Sequence, residues 1–188
     1  MEQTSGTLTC SQLKTLSLAA LGGALEFYDF VIFVFFATTM GALFFPPDMP
    51  EWLRLVQTFG IFAAGYLARP LGGIVMAHFG DLRGRKRMFM LSILLMAIPT
   101  LLMGLLPIYA QVGVIAPLLL LLLRIMQGAA IGGEAPGAWV FVTEHVSPRH
   151  RNLACGALSA GLCAGILIGS LVARLLNAVL DEGQLLAW

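Results

Sequence analysis

Charged side chains lie within long apolar stretches of this sequence, where an unpaired charge is costly. Glu26 and Asp29 are three residues apart, which is about 60° around a helix, so both carboxylates share one face. Two neighbouring carboxylates in a low-dielectric medium resist joint ionisation, which suits groups that take up and release a proton. The alternative is a structural role, in which they cap a helix or form a salt bridge between helices.

A second polar set lies in the segment 124–134, RIMQGAAIGGE. An arginine stays charged when it is buried, so Arg124 needs an anionic partner. A carboxylate of the first helix and an anionic substrate are both candidates, and the alternative is a side chain that reaches an interface. Gln127 shares the face of Arg124, whereas Glu134 is about 80° away and is expected to face a different neighbour.

Arg69 precedes Pro70 in another apolar stretch and lies about 18 Å along a helix axis from Asp81. At that distance the guanidinium can reach either a central cavity or the cytoplasmic headgroups, and the sequence leaves both positions open.

Other kinds of chemistry find little support in the sequence. No nucleophile is placed beside a base, and no C-x-x-C motif occurs, so we expect no enzymatic activity, no cofactor and no metal. The one short basic cluster does not indicate nucleic-acid binding. The three cysteines, Cys10, Cys155 and Cys163, are interpreted as buried or free thiols. The three histidines, His78, His145 and His150, have no other metal-ligating residues at a suitable spacing.

The composition is that of a protein whose solvent is the lipid bilayer. Hydrophobic residues make up 59% of the 188 residues and charged residues only 11%, against about 25% charged residues in soluble domains. Because a span needs about 20 mostly apolar residues, the sequence predicts an all-α membrane protein with about five transmembrane helices. The predicted spans are about 16–45, 52–79, 88–106, 114–142 and 153–180, within a single transmembrane domain 1–188.

The loops between these spans predict the orientation. Basic residues are concentrated after the second and fourth spans, at Arg83–Arg87 and at Arg149 and Arg151, which places the N-terminus in the cytoplasm. Five spans leave the C-terminus outside. A sixth apolar span could begin in the last residues, QLLAW at 184–188, so we favour a longer protein truncated before its sixth helix over a genuine five-span protein.

The segment 77–87, AHFGDLRGRKR, resembles the signature loop of the major facilitator superfamily, G-x-x-x-D-[RK]-x-G-[RK]-[RK]. Glycines allow a tight turn there, and Asp81 is expected to cap the next helix. Two positions depart from the pattern, since Ala77 replaces the first glycine and Leu82 replaces the first cation.

Further motifs resemble one family within that superfamily, the metabolite:proton symporters, which carry citrate, 2-oxoglutarate, shikimate, and proline or betaine. These motifs are LEFYDF at 25–30, RPLGG at 69–73, Arg124-x-x-Gln127-Gly128 and GGE at 132–134. The resemblance extends from about Gly22 to the C-terminus.

This resemblance implies twelve helices in two six-helix halves built from inverted repeats, of which this chain supplies helices one to five of the first half. It also implies roles for particular side chains. Proton coupling falls to Glu26, Asp29 and Arg124; substrate binding to Arg69, Gln127, Glu134 and Tyr28; and cytoplasmic gating to Asp81, Gly84, Arg85 and Lys86.

The function expected from this resemblance is proton-coupled symport of a small organic solute, a carboxylate or a betaine-like metabolite, across the bacterial inner membrane. The proton is then the coupling ion. The alternative is a non-transporting truncated membrane module, or a half-transporter that needs a partner. That partner is the missing second half or another copy of the chain, which is conceivable because the two halves are parallel repeats.

Overall fold

The computed structural model describes residues 10–83, 85–146 and 148–185. Within these ranges the side chains are described except at 10–12, 14, 15, 18, 19, 83, 85–90, 93, 133–138, 140–142, 144, 145 and 182.

All regular structure in the described part of the chain is helical. A short 3₁₀ turn, Pro148–His150, precedes α7. The helices are α1 (Cys10–Phe35), α2 (Ala37–Phe44), α3 (Glu51–Arg83), α4 (Arg85–Gly104), α5 (Tyr109–Val112), α6 (Ile115–His145), α7 (Arg151–Val179) and α8 (Glu182–Leu185).

Three of these helices, α3, α6 and α7, are long and apolar enough to cross a membrane, and α1 with α2 adds a fourth if the two are one bent span. The remaining predicted span corresponds to α4, whose apolar part among the described side chains is the shorter segment Leu94–Met103. Many large apolar side chains point outward, and Leu67, Leu71 and Ile74 are about 70% exposed. Such a surface requires lipid, so the chain is an all-α membrane protein.

The first predicted span is not one continuous helix. It divides at Phe36 into α1 and α2, whose axes differ by 65°. Neither proline nor glycine stands at the break, where Phe36 leaves helical geometry with φ −98° and ψ 14°. Beyond the bend, α2 buries Leu43 and Phe44 in a cluster shared with α3, α4 and α6.

Two pairs of helices pack along glycine-lined seams, and the helices of each pair run parallel. Along α3 and α6, Gly128 faces the backbone of Gly65, and Gly132 faces that of Arg69. Along α1 and α7, the glycines of α7 face successive turns of α1, with Gly161 at Ala20, Gly165 at Ala24 and Gly169 at Tyr28. Both small-residue patterns therefore serve close backbone contact.

A polar layer lies between two apolar clusters. One cluster joins the ends of α2, α3, α4 and α6 around Phe44 and Leu120. The other joins Leu16 of α1 to Val146, Ala154 and Leu158 near the opposite end of the bundle. The polar side chains of α1 and α6 come between these clusters in chain order and therefore lie at the middle of the spans.

The signature segment 77–87 is more helical than predicted. Helix α3 continues to Arg83 and α4 begins at Arg85, so one residue position separates them. Asp81 lies inside the last turn of α3 and is exposed, so it does not occupy the position directly before α4. Its expected capping of the next helix stays a prediction, because Gly84 and the side chains that follow it lie outside the described residues.

Candidate functional site

Asp29 of α1 is paired with Arg124 and Gln127 of α6. Its Oδ2 atom accepts hydrogen bonds from Nη1 of Arg124 at 3.0 Å and from Nε2 of Gln127 at 2.7 Å. Arg124 also donates to Oε1 of Gln127 at 2.6 Å. The predicted ion pair between Arg124 and the first helix is therefore present, and Gln127 lies on the face of Arg124 as expected.

The network extends to α4 through a residue that the sequence analysis missed. Nε2 of Gln127 donates to the hydroxyl of Thr100 at 2.9 Å, and that hydroxyl donates to the carbonyl of Met96 at 2.8 Å. Thr100 could have been noticed in the sequence because it is a polar residue directly after Pro99 inside an apolar helix. Three helices thus meet at one side-chain amide.

Arg124 is deeply buried, with 8% of its surface exposed. Its guanidinium carbon lies 3.9 Å from the centre of the Phe33 ring, which supports the charge by a cation–π contact. Its Nε atom has no hydrogen-bond partner among the described residues. An unsatisfied buried donor costs about 1–3 kcal/mol, so this N–H group is available to donate a hydrogen bond to a water or a ligand oxygen.

Glu26 of α1 forms the second ion pair, with Arg69 of α3. Oε1 of Glu26 lies 3.2 Å from Nη1 of Arg69. Of the two positions left open for Arg69, the structure places it at the cavity, where its guanidinium carbon is 4.5 Å from the centre of the Tyr66 ring. The two carboxylates of α1 share a face as predicted, and each pairs with a different helix.

Both ion pairs line one pocket between α1, α3 and α6. The cavity volume is about 20 Å³, roughly the space of one water molecule. Among the described residues, its lining consists of four charged residues, one amide and a set of aromatic and small residues: Glu26, Asp29, Arg69, Arg124, Gln127, Phe30, Phe62, Tyr66, Gly65, Gly128 and Ile131.

Not every predicted site residue belongs to this pocket. Tyr28 does not line it, because it is rotated about 100° from Asp29 on α1, and its carbonyl lies against Gly169 of α7. The side chains of Glu134, Arg85 and Lys86, like all of Gly84, lie outside the described residues.

The aromatic part of the lining was missed by the sequence analysis. Phe62 and Tyr66 of α3 are four residues apart, and Arg69 follows after three more, so all three lie on one helical face. The spacing of Phe62, Tyr66 and Arg69 could have indicated this aromatic lining. Aromatic residues are common in apolar spans, so an aromatic pair suggests a binding site only when a charged residue lies on the same face.

A helical bundle of the membrane with paired charges at the middle of its spans is typical of solute carriers, because intramembrane charges usually serve a pathway or a partner. The Major Facilitator Superfamily model matches residues 19–181, and the chain belongs to this family. The predicted superfamily is thereby confirmed. The family is one of transporters and not of enzymes, in agreement with the prediction.

Curated relatives agree with the narrower resemblance. The chain is 37% identical over 175 residues to the glycine betaine/proline/ectoine/pipecolic acid transporter OusA of Dickeya dadantii. It is 37% identical over 175 residues to the proline/betaine transporter of Salmonella typhimurium and 38% identical over 175 residues to a putative proline/betaine transporter of Staphylococcus haemolyticus.

These alignments cover 93% of this chain but only 35%, 35% and 37% of the respective relatives, so the chain spans about a third of their length. The fold is therefore part of a major facilitator half. No solved structure matches the chain.

Proposed function

We propose that this chain forms part of a proton-coupled symporter for small organic solutes of the betaine-like or carboxylate class. The observation that carries the proposal is a single pocket, inside membrane-spanning helices, that is lined by two carboxylates and two arginines in separate ion pairs. Charges at this depth are expensive unless they serve transport or pair with one another.

The pocket has the donors that a solute carboxylate needs. Arg69 is partly exposed, with 22% of its side chain accessible, and Arg124 has its spare Nε donor. An arginine presents a fork of donors that matches a carboxylate. The names of the relatives, which transport proline and betaine, support a solute of this kind.

Coupling follows from the competition between a proton and an arginine for the same carboxylate. A proton on Asp29 removes the charge that holds Arg124 and Gln127, and a proton on Glu26 releases Arg69. Because each carboxylate joins α1 to a different helix, protonation loosens contacts that solute binding can then replace. Proton release restores the pairs.

Replacing either carboxylate by its amide is expected to abolish uphill accumulation. Glu26→Gln and Asp29→Asn keep the size of the side chain but carry no titratable proton. The complete protein is reconstituted in liposomes, and uptake is measured under an imposed pH gradient in which the liposome interior is more alkaline than the outside. Counterflow exchange is expected to survive, since it needs no net proton movement.

Asp48→Asn is the matched control, because Asp48 is exposed in the loop between α2 and α3 and is expected to leave accumulation unchanged. If both amide variants still concentrate solute as wild type does, neither carboxylate is the coupling acid.

The orientation and the gating roles belong to the same proposal. The N-terminus lies in the cytoplasm of a bacterial cell, at the inner membrane, because the basic residues Arg149 and Arg151 then face inward, where cations are favoured. Asp81, at the exposed end of α3, together with Gly84, Arg85 and Lys86, forms the cytoplasmic gate.

The 188 residues on their own are expected not to transport solute. Tyr66 lines the pocket yet is 54% exposed, so one wall of the site is open unless something covers it. In carriers of this type the solute lies between two halves, and the chain spans about a third of its relatives.

Reconstitution of the 188-residue chain, with a screen of organic acids and betaines under a pH gradient, tests this. Saturable uptake by a chain that cross-linking shows to be monomeric contradicts it. Uptake by a cross-linked dimer supports instead a second copy as the partner.

A further inference from the structure

Two aromatic rings beside the Glu26–Arg69 pair form a corner that already holds a cation. The rings of Phe30 and Tyr66 meet edge to face, with centres 6.2 Å apart and planes at 62°. The guanidinium carbon of Arg69 lies 4.5 Å from the centre of Tyr66 and 5.9 Å from that of Phe30. A cation within about 6 Å of a ring centre is attracted by the ring, so both rings stabilise this charge.

Neighbouring rings hold one side of the corner in place. Phe62 packs against Phe30 with ring centres 4.6 Å apart, and it stacks on Phe33 at 5.6 Å with planes at 14°. Phe33 is 1% exposed. Packing against these rings therefore supports Phe30 where it lines the pocket beside Arg69.

We propose that this corner, formed by Phe30, Tyr66 and the carboxylate of Glu26, binds the ammonium group of a zwitterionic solute in place of Arg69. The inference rests on the proposed function, namely that this pocket takes up a small organic solute. Arg69 leaves the corner because the carboxylate of the solute offers it a new partner. The solute ammonium then takes over the rings and Glu26.

The exchange keeps the charges of the pocket balanced. Among the described residues of the pocket, Glu26 and Asp29 match Arg69 and Arg124, so a zwitterion adds one charge of each sign and finds an opposite partner for both. A dicarboxylate adds two negative charges and leaves the aromatic corner without a cation. Site chemistry therefore favours zwitterions, and quaternary ammonium groups above all, since their methyl groups carry charge and make apolar contact with the rings.

Movement of Arg69 also enlarges the closed part of the cavity. About 20 Å³ accommodates roughly one water molecule and not an organic solute. Arginine is a flexible side chain, and 22% of this one is accessible. Its departure opens space at the point where the ammonium is to bind.

The test compares two solutes that differ in one atom. Glycine betaine carries a quaternary nitrogen, and 3,3-dimethylbutanoate has carbon at the same place with the same shape and carboxylate. Their inhibition constants are measured against uptake of labelled glycine betaine by the complete protein in proteoliposomes. Wild type is expected to favour glycine betaine.

Ring removal is expected to reduce this preference. Tyr66→Leu and Phe30→Leu keep apolar volume but remove the ring, and each should lower the ratio of the two constants roughly 3- to 30-fold. Tyr66→Phe should retain the ratio. Phe59→Leu is the matched control, because Phe59 also lies on α3 but is 43% exposed and does not line the pocket.

A ring variant that fails to fold is replaced by fluorinated phenylalanines at position 30, which keep the shape and weaken the ring's attraction for a cation. The ratio should then fall with each added fluorine. An unchanged ratio in the leucine variants or across the fluorinated series overturns the inference and leaves the proposed function intact. If wild type takes up dicarboxylates but not betaines, the inference about the aromatic corner is likewise overturned and the proposed function stands. No uptake of any organic solute by wild type refutes the proposed function itself.

Discussion

Arg124→Ala is expected to lower the free energy of unfolding by about 3–5 kcal/mol and to abolish solute uptake. Arg124 is 8% exposed, and its guanidinium is bound to both Asp29 and Gln127. Its removal leaves the carboxylate of Asp29 without its cation at the middle of the bundle. Breaking one side of a buried pair costs more than removing both sides.

The double variant Asp29→Asn with Arg124→Gln separates the cost of a stranded charge from that of lost packing. Two amides in these positions carry no charge and can hydrogen-bond to each other or to Gln127. Replacing both members of a buried pair is often neutral for stability, so the double variant should recover most of the loss. Uptake should stay absent, because the proton-dependent pair no longer exists.

Unfolding is followed in mixed detergent micelles, and uptake is measured in liposomes. Arg174→Ala is the matched control, since Arg174 is an exposed arginine on α7 and its removal should change stability by less than about 1 kcal/mol. A single Arg124→Ala variant as stable as wild type shows that the Asp29 pair does not hold α1 to α6.

Adding one methyl group at the seam between α3 and α6 is expected to have the other large effect. A Cβ atom at Gly128 overlaps the carbonyl of Gly65, and one at Gly132 overlaps the carbonyl of Arg69. Both obstacles are backbone, which cannot rotate away as a side chain does. Gly128→Ala and Gly132→Ala should therefore each destabilise the protein by about 1–3 kcal/mol.

The same overlap should impair uptake, because pushing α3 away from α6 moves Arg69 and Tyr66 relative to Arg124. Gly60→Ala and Gly156→Ala are the matched controls. Both glycines lie within helices, and a Cβ atom at either meets nothing within 4 Å. Alanine there should be neutral or stabilising by up to about 1 kcal/mol.

Thermal unfolding of the four variants gives the comparison. If the seam glycines tolerate alanine as well as Gly60 and Gly156 do, the close approach of α3 and α6 is not required for the fold.

The membrane-spanning helical character, the charge positions and the packing stripes could be predicted from the sequence because each depends on local composition or periodicity. Runs of about 20 apolar residues indicated the spans. A three-residue spacing put Glu26 and Asp29 on one face, and a four-residue spacing of Gly128 and Gly132 indicated a seam. Each of these features depends on the geometry of a single helix, so it can be predicted without knowing where the other helices lie.

The choice of partners was decided only by the tertiary structure. Arg124 pairs with Asp29 and Arg69 with Glu26, although the sequence allowed Arg124 either carboxylate and left Arg69 between a cavity and the headgroups. Tyr28 was assigned to the pocket and does not line it, whereas Thr100 was overlooked and bonds to Gln127.

The bend at Phe36 likewise is marked by no proline or glycine in the sequence, and it directs α2 into a cluster with α3, α4 and α6. In each case the outcome depends on the rotation and axial register of one helix against another. Those quantities are set by seams between helices far apart in sequence, such as α1 with α7 and α3 with α6, where small residues let the backbones approach.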